Sequence, residues 1–425
     1  MMTKQLLYTQ ILSVFFVATG LLSVAVPIQF YTGIPFANTT FWWAFQALFI
    51  TVIFVAIKLF IDNKQFLLMK LVAVYIIWIL INIVRGSIIS DGYWDFKGLI
   101  ANSLALTVPI VAYIGTNPKL MKKMLSAYFV YGLIVFVLLL VILPKVAYGY
   151  YLVPVTLVTL FFPALSFRTK ILILSLILVV LTADLLARSN VIKFFVPIIL
   201  CSLYYFRSIF SVKMLNSVRI SLLALPIIFL VLASTKTFNI FKIQEYVDQD
   251  FTATAVNRHG SENEENLLGD TRSFLYSEAL FTANYFDSWI AGRSPARGTL
   301  SDVFGYADPN NRGERLGGEV AILNIFTWLG IIGVLLYGSI FYVASYLAVC
   351  KSENYFIKIL GLFVAFRWAY AWVEDFTIFS LTYVTLWLMI GMCYSKQFRS
   401  MSDKDFRLWV NGIFTKRRIT FKNAI

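Results

Sequence analysis

Arginines outnumber lysines heavily in one polar stretch of this chain, where Arg258, Arg272, Arg293, Arg297, Arg312 and Arg315 precede an apolar segment entered at Gly317-Gly318-Glu319. A guanidinium keeps its charge on burial and meets phosphate oxygens two at a time, so this residue choice suits a phosphate or diphosphate held near a membrane surface. Arg272 and Arg293 are the first candidates, Arg272 because a helix start would add free N–H groups and a favourable dipole for an anion, with Arg297 close behind. Groups able to take a proton from a hydroxyl are fewer. Glu319 stands at the mouth of the apolar segment, and Glu278 falls among aromatic residues of the stretch. Each arginine also fits a plain solvated loop, and Glu319 fits a helix-start acid complementing the dipole. His259, the only histidine, sits among charged residues and reads as solvated; Asp248-Gln249-Asp250 has only the spelling of a metal-nucleotide element. Phosphate-cradling glycine loops, nucleophile elbows and zinc spacings are not found.

Charges also occur inside apolar segments, where each costs about 2.5 to 3.5 kcal/mol on insertion scales and so requires a reason. Asp184 and Arg188 are four residues apart on one helical face, Arg367 lies within a later apolar run, and Glu374-Asp375 closes that run. Pairing of Asp184 with Arg188 and of Arg367 with Glu374 would satisfy the charges. A second use is to line an anion site with Arg188 and Arg367.

These residues must be positioned by a membrane framework. With 60% hydrophobic and only 14% charged residues in 425, the chain lacks the charge to cover a water-soluble globule. The expected fold is all-α, a polytopic bundle of about 12 transmembrane helices within one membrane domain, residues 1–425. The apolar stretches run roughly over 6–26, 41–60, 66–84, 98–116, 124–143, 147–167, 170–187, 189–206, 218–234, 319–349, 355–373 and 376–395. The first is read as a retained helix, not a cleaved signal. With the N-terminus inside, the inner connections carry thirteen Lys and Arg residues and the outer ones five (Arg85, Lys97, Lys145, Arg188 and Lys193), and eight more follow Tyr394. Positive charge collects on the cytoplasmic side, so both termini are placed there, with 396–425 as a basic cytoplasmic tail and 235–318 as a large external loop. Topology and anionic headgroups thus account for the net charge of +14 without nucleic acid. Within the loop, Asp270 and Thr271 could cap an amphipathic helix with Phe274, Phe281 and Tyr285 on one face. The three cysteines, Cys201, Cys350 and Cys393, read as small buried hydrophobes.

Three fragments resemble the O-antigen polymerase and O-antigen ligase group of bacterial membrane glycosyltransferases. They are Leu-Thr-Ala-Asp-Leu-Leu-Ala-Arg188-Ser189; Asp270-Thr-Arg272 with the aromatic segment after it and Trp289-Ile-Ala-Gly292-Arg-Ser-Pro; and Gly318-Glu319 with Trp328-Leu-Gly330-Ile-Ile-Gly333. The resemblance implies transfer of a glycan from a polyprenyl (undecaprenyl) diphosphate carrier to a sugar hydroxyl of a second lipid-linked repeat unit. It places the loop in the periplasm and the chain in the bacterial inner membrane. Ligases of the group carry a His where this chain has Glu319, so polymerase is the expected activity, with ligase or a lipid-linked oligosaccharide flippase as the alternatives. Expected partners are the lipid-linked donor and acceptor, membrane lipids and a chain-length regulator; no metal or other cofactor is called for, since arginines can neutralise the departing diphosphate.

Overall fold

The computed structural model describes residues 2–183, 188–242, 252–256, 262–266, 272–301 and 313–415. They are mostly helical, and the only strands among them form two small antiparallel pairs, Thr252–Val256 with Glu262–Asn266 and Thr299–Leu300 with Glu314–Arg315. Among the described residues, seven helical stretches are long and apolar enough to cross a bilayer: Lys4–Thr32, Thr39–Phe60, Lys70–Ile89, Tyr93–Gly115, Pro118–Leu139, Val212–Ser234 and Ala321–Cys350. Ser189–Ser202 and Leu381–Tyr394 are shorter apolar helices. Side chains mark many of the starts, with Asn38, Asn117, Ser211, Asn354 and Ser380 each accepting a backbone N–H of the first turn.

Burial separates a centre from a rim. Every residue of Leu381–Tyr394 is buried, and nearly all of Tyr355–Tyr370. The Leu381–Tyr394 helix packs so closely on Val111–Gly115 that a side chain at Gly391 would meet the Ala112 carbonyl oxygen at 2.1 Å. The Val212–Ser234 helix, by contrast, buries only Leu215, Arg219 and Pro226, and turns Val218, Ile220, Ile227, Ile228 and Val231 outward. An apolar rim of this kind is stable against hydrocarbon and not against water. The molecule is therefore a membrane protein.

The last third of the chain ties the two ends of the bundle together. Beyond Cys350, Glu353 donates to the Arg399 carbonyl and Asn354 to those of Phe398 and Met401. The Asp403–Phe414 helix, opened by a Ser402/Asp405 capping box, docks here through Phe406, Trp409, Val410 and Ile413. At the opposite end, the loop helix Ser273–Tyr285 covers the bundle. It buries Leu275, Ala279, Thr282 and Ala283 and leaves Phe281 and Tyr285 exposed. Of the aromatic face expected for this helix, Phe281 and Tyr285 thus point outward, whereas Phe274 packs against the core. Its expected caps, Asp270 and Thr271, lie outside the described residues, and Arg272 occupies the cap position without a side-chain capping bond.

Ala321–Cys350 is broken. Gly330 takes φ 67° and ψ −168°, outside the helical region and open mainly to glycine. Backbone groups released by such a break need partners inside a membrane protein. The segment Trp289–Ser294 supplies most of them: Arg293 and Ser294 N–H donate to the Thr327 and Trp328 carbonyls, and Ile331 and Ile332 N–H donate to the Trp289 and Ile290 carbonyls. Trp78 Nε1 donates to the Leu329 carbonyl at 3.0 Å. A straight 30-residue helix would be roughly 45 Å long, against roughly 24 Å for the 16 residues of its neighbour Tyr355–Tyr370. The joint lets the two meet at both ends.

Candidate functional site at the loop end

The site is organised by the strip Ala371–Thr377, which links the two central helices. Its carbonyls cap the broken helix, whose first turn has no side-chain cap: Ala321 and Ile322 N–H donate to the Glu374 and Ala371 carbonyls. Asp375 Oδ1 accepts from the Thr377 N–H and hydroxyl at 2.8 and 2.6 Å, and Thr377 Oγ1 accepts from Asn324. Burial pushes the Asp375 carboxyl up, with the Thr377 hydrogen bonds opposing. Asn324 also holds the turn before the helix, accepting from Gly318 N–H and donating to its carbonyl. That turn carries Glu319.

Arg272 and Glu319 are brought together. Arg272 donates Nε to the Val373 carbonyl at 3.2 Å and Nη1 to Glu319 Oε2 at 2.6 Å, while Arg315 Nη2 reaches Glu319 Oε1 at 3.1 Å. Both Glu319 oxygens are therefore engaged by guanidiniums, and the carboxylate is still about half exposed. Release of either partner would free that oxygen to take a proton. Tyr276, one turn beyond Arg272, donates its hydroxyl to the Trp372 carbonyl, and burial pushes its phenol up.

Beneath the strip lie Lys193 and Arg367, 5% and 3% exposed. Lys193 Nζ is 3.9 Å from Glu374 Oε1 and lies over the Tyr150 ring. The Arg367 guanidinium stacks 4.2 Å from the centre of Phe376 and 5.4 Å from that of Tyr370. Both line a cavity of about 20 Å³ with Thr156, Thr382 and Thr385. Arg367 is thus placed beside a cation on a second helix, around a cavity too small for a diphosphate. Lys193 counted in the sequence as an outer connecting charge. The structure sets it inside the Arg188–Ser202 helix. A lysine within an apolar run was the available signal.

Arg293 and Arg297 form a different cluster. Arg293 donates to Glu314 Oε1 at 2.9 Å and to the Gly298 carbonyl at 2.6 Å, and stacks on Phe286 at 3.6 Å. Arg297 lies 3.5 Å from Asp95, 3.8 Å from Asp91 and 3.8 Å from Glu314. Glu314, unremarked in the sequence, is 7% exposed and also accepts from the Gly298 N–H. Burial pulls the Arg293 guanidinium down, with Glu314 opposing. Arg85 donates to the Gly292 carbonyl, and together these arginines border an open groove of about 500 Å³ with Trp289 and Ile290. Their bonds to Glu314, Asp95 and the Gly292 and Gly298 carbonyls make them a clasp for the loop. Glu278 accepts from the Ser301 hydroxyl at 2.8 Å and steadies the same loop.

Other expectations fall elsewhere. Arg188 begins a helix, with its side chain outside the described residues, as are Asp184, Asp248, Asp250, Arg258, His259 and Arg312. Among the described residues, no group of three or more His, Cys, Asp or Glu side chains is placed to hold a metal ion. No protein-family model matches the chain, and a search of the curated proteins finds no relative.

Proposed function

We propose that the protein is a membrane glycosyltransferase that extends a surface polysaccharide, transferring a glycan from a polyprenyl diphosphate to a sugar hydroxyl of another lipid-linked repeat unit. In this reading twelve passes cross the inner membrane of a bacterium, both termini are cytoplasmic, and the loop end faces the periplasm. The observation that carries it is the Arg272–Glu319–Arg315 arrangement: two guanidiniums converging on one half-exposed carboxylate at the end of an apolar bundle. Paired guanidiniums suit a diphosphate, and the carboxylate between them occupies the place an anionic ligand would take.

The chemistry follows from that competition. Diphosphate oxygens bind Arg272 and Arg315 and displace Glu319. The freed carboxylate then takes the proton of the acceptor hydroxyl as its oxygen bonds to the anomeric carbon. The bond from that carbon to the phosphate oxygen breaks, and its electron pair leaves on the diphosphate, where the arginines stabilise the added charge. The exposed Phe281 and Tyr285, their rings stacked 5.9 Å apart, offer an apolar surface for sugar rings beside the site.

The test is extension of purified lipid-linked repeat units by the protein in lipid nanodiscs, read as a ladder of products on a gel. Wild type gives a ladder and Glu319→Gln loses it while retaining donor binding. No ladder from folded wild-type protein supplied with its host's own repeat units would refute the reading; attachment of polymer to a lipid A core instead would make it a ligase.

A further inference from the structure

We propose that the cavity between Lys193 and Arg367 is a binding site for one small monovalent anion of chloride size. Two cations line it; Glu374 lies 3.9 Å from Lys193, and Asp375, which also acts on Lys193, directs Oδ1 to Thr377. A buried cation is stable when its donors are met, and Arg367 makes no ion pair within 4 Å among the described residues. Arg367 Nη2 and the fully buried Thr385 hydroxyl have no hydrogen-bond partner in the protein, and both residues line the cavity. The comparison within the molecule is Arg219, equally buried in another apolar helix. Its Nε donates to Asn216 and its Nη1 to the Tyr342 carbonyl and Ser345, so the protein completes that guanidinium itself.

Size selects the ligand. A site needs at least about 10–15 Å³ of this kind of volume to hold one water-sized occupant, and the cavity has about 20 Å³. One monatomic anion fits there, and a phosphate does not. The Leu386, Met389, Val153 and Phe363 side chains make the rest of the lining apolar apart from the Thr156 and Thr382 hydroxyls, and so few polar groups favour a weakly hydrated halide over a strongly hydrated oxyanion.

The experiment is retention of radioactive chloride by the purified full-length protein after rapid desalting in gluconate buffer. Wild type should retain about one ion per chain, displaced by bromide and not by gluconate, and its melting midpoint should rise with the logarithm of chloride concentration, as one-site binding requires. Arg367→Met should abolish both effects, and Arg272→Ala neither. Should Arg367→Met fail to fold, Thr385→Val serves, with retention reduced at least tenfold. Absence of saturable retention in wild type would mean that the cavity holds water, and retention surviving Arg367→Met or lost in Arg272→Ala would put the ion elsewhere; each result overturns the proposal.

Discussion

In the clasp, Arg85, Arg293 and Arg297 stand with Asp91, Asp95 and Glu314, and the guanidiniums also reach the Gly292 and Gly298 carbonyls. Around the Ala371–Thr377 strip, Arg272 and Arg315 meet at one half-exposed carboxylate, and Lys193 lies 3.9 Å from that of Glu374. The first group is closed by the protein's own acids and backbone. The second includes a carboxylate about half exposed at the end of the bundle, and it is where the proposed ligand would bind. The number of arginines therefore says little; the partners of each separate the buried clasp from the more open cluster.

Substitutions can break this contrast in graded steps. Arg293→Ala or Glu314→Ala strands a buried charge and should cost about 3 to 5 kcal/mol, seen as a large fall in melting temperature in detergent. Replacing both by methionine should recover most of it. If either single change left stability untouched, the clasp would not be a scaffold. Arg272→Ala should behave in the opposite way. Its partly exposed pair contributes at most about 1 kcal/mol to stability, whereas loss of a donor to the leaving diphosphate should slow extension by about 10²- to 10³-fold. Equal extension by variant and wild type would remove Arg272 from the site. Gly330→Ala should cost about 1 to 3 kcal/mol through its positive φ and would press a methyl group on the Ile290 carbonyl. Loosening of the loop would appear as faster amide exchange at Arg293 and Ser294.

The smallest expected effect is a pH dependence at the strip. Asp375 has its folded carboxyl raised by burial, so the folded state holds that proton more tightly than the unfolded chain, whose carboxyl sits near 3.8. Stability from this group is present below 3.8 and is lost as pH climbs from there through the raised folded value. Asp375→Asn keeps the acceptor for Thr377 and should flatten that part of the stability profile; an unchanged slope would show that the carboxyl does not titrate there.

Membrane class was legible because apolar runs of helical length have no soluble alternative, and the broken helix was expected over 319–349, within two residues of Ala321–Cys350. Arg272 and Glu319 were also named from residue type and position, although nothing in their spacing of 47 residues revealed that they touch. What the sequence hid was pairing. Glu314 and Asp95 look like ordinary surface acids until the loop folds against the Tyr93–Leu106 helix, and Lys193 looks like a flanking charge until its helix is seen to start at Arg188. Long-range contacts decide whether a guanidinium has donors to spare, and no local pattern encodes them.

The joint at Gly330 has a consequence for reach. Below it, Ile331–Cys350 contributes 20 residues, roughly 30 Å, the thickness of the hydrocarbon layer. The nine residues above it therefore need not cross lipid at all. In the proposed reading they form a sill at headgroup depth, with Glu319 just beyond its edge. A lipid-borne phosphate, in the proposed reaction, would meet Arg272 at the level where it already floats, and the enzyme would have no need to lift its substrate out of the bilayer.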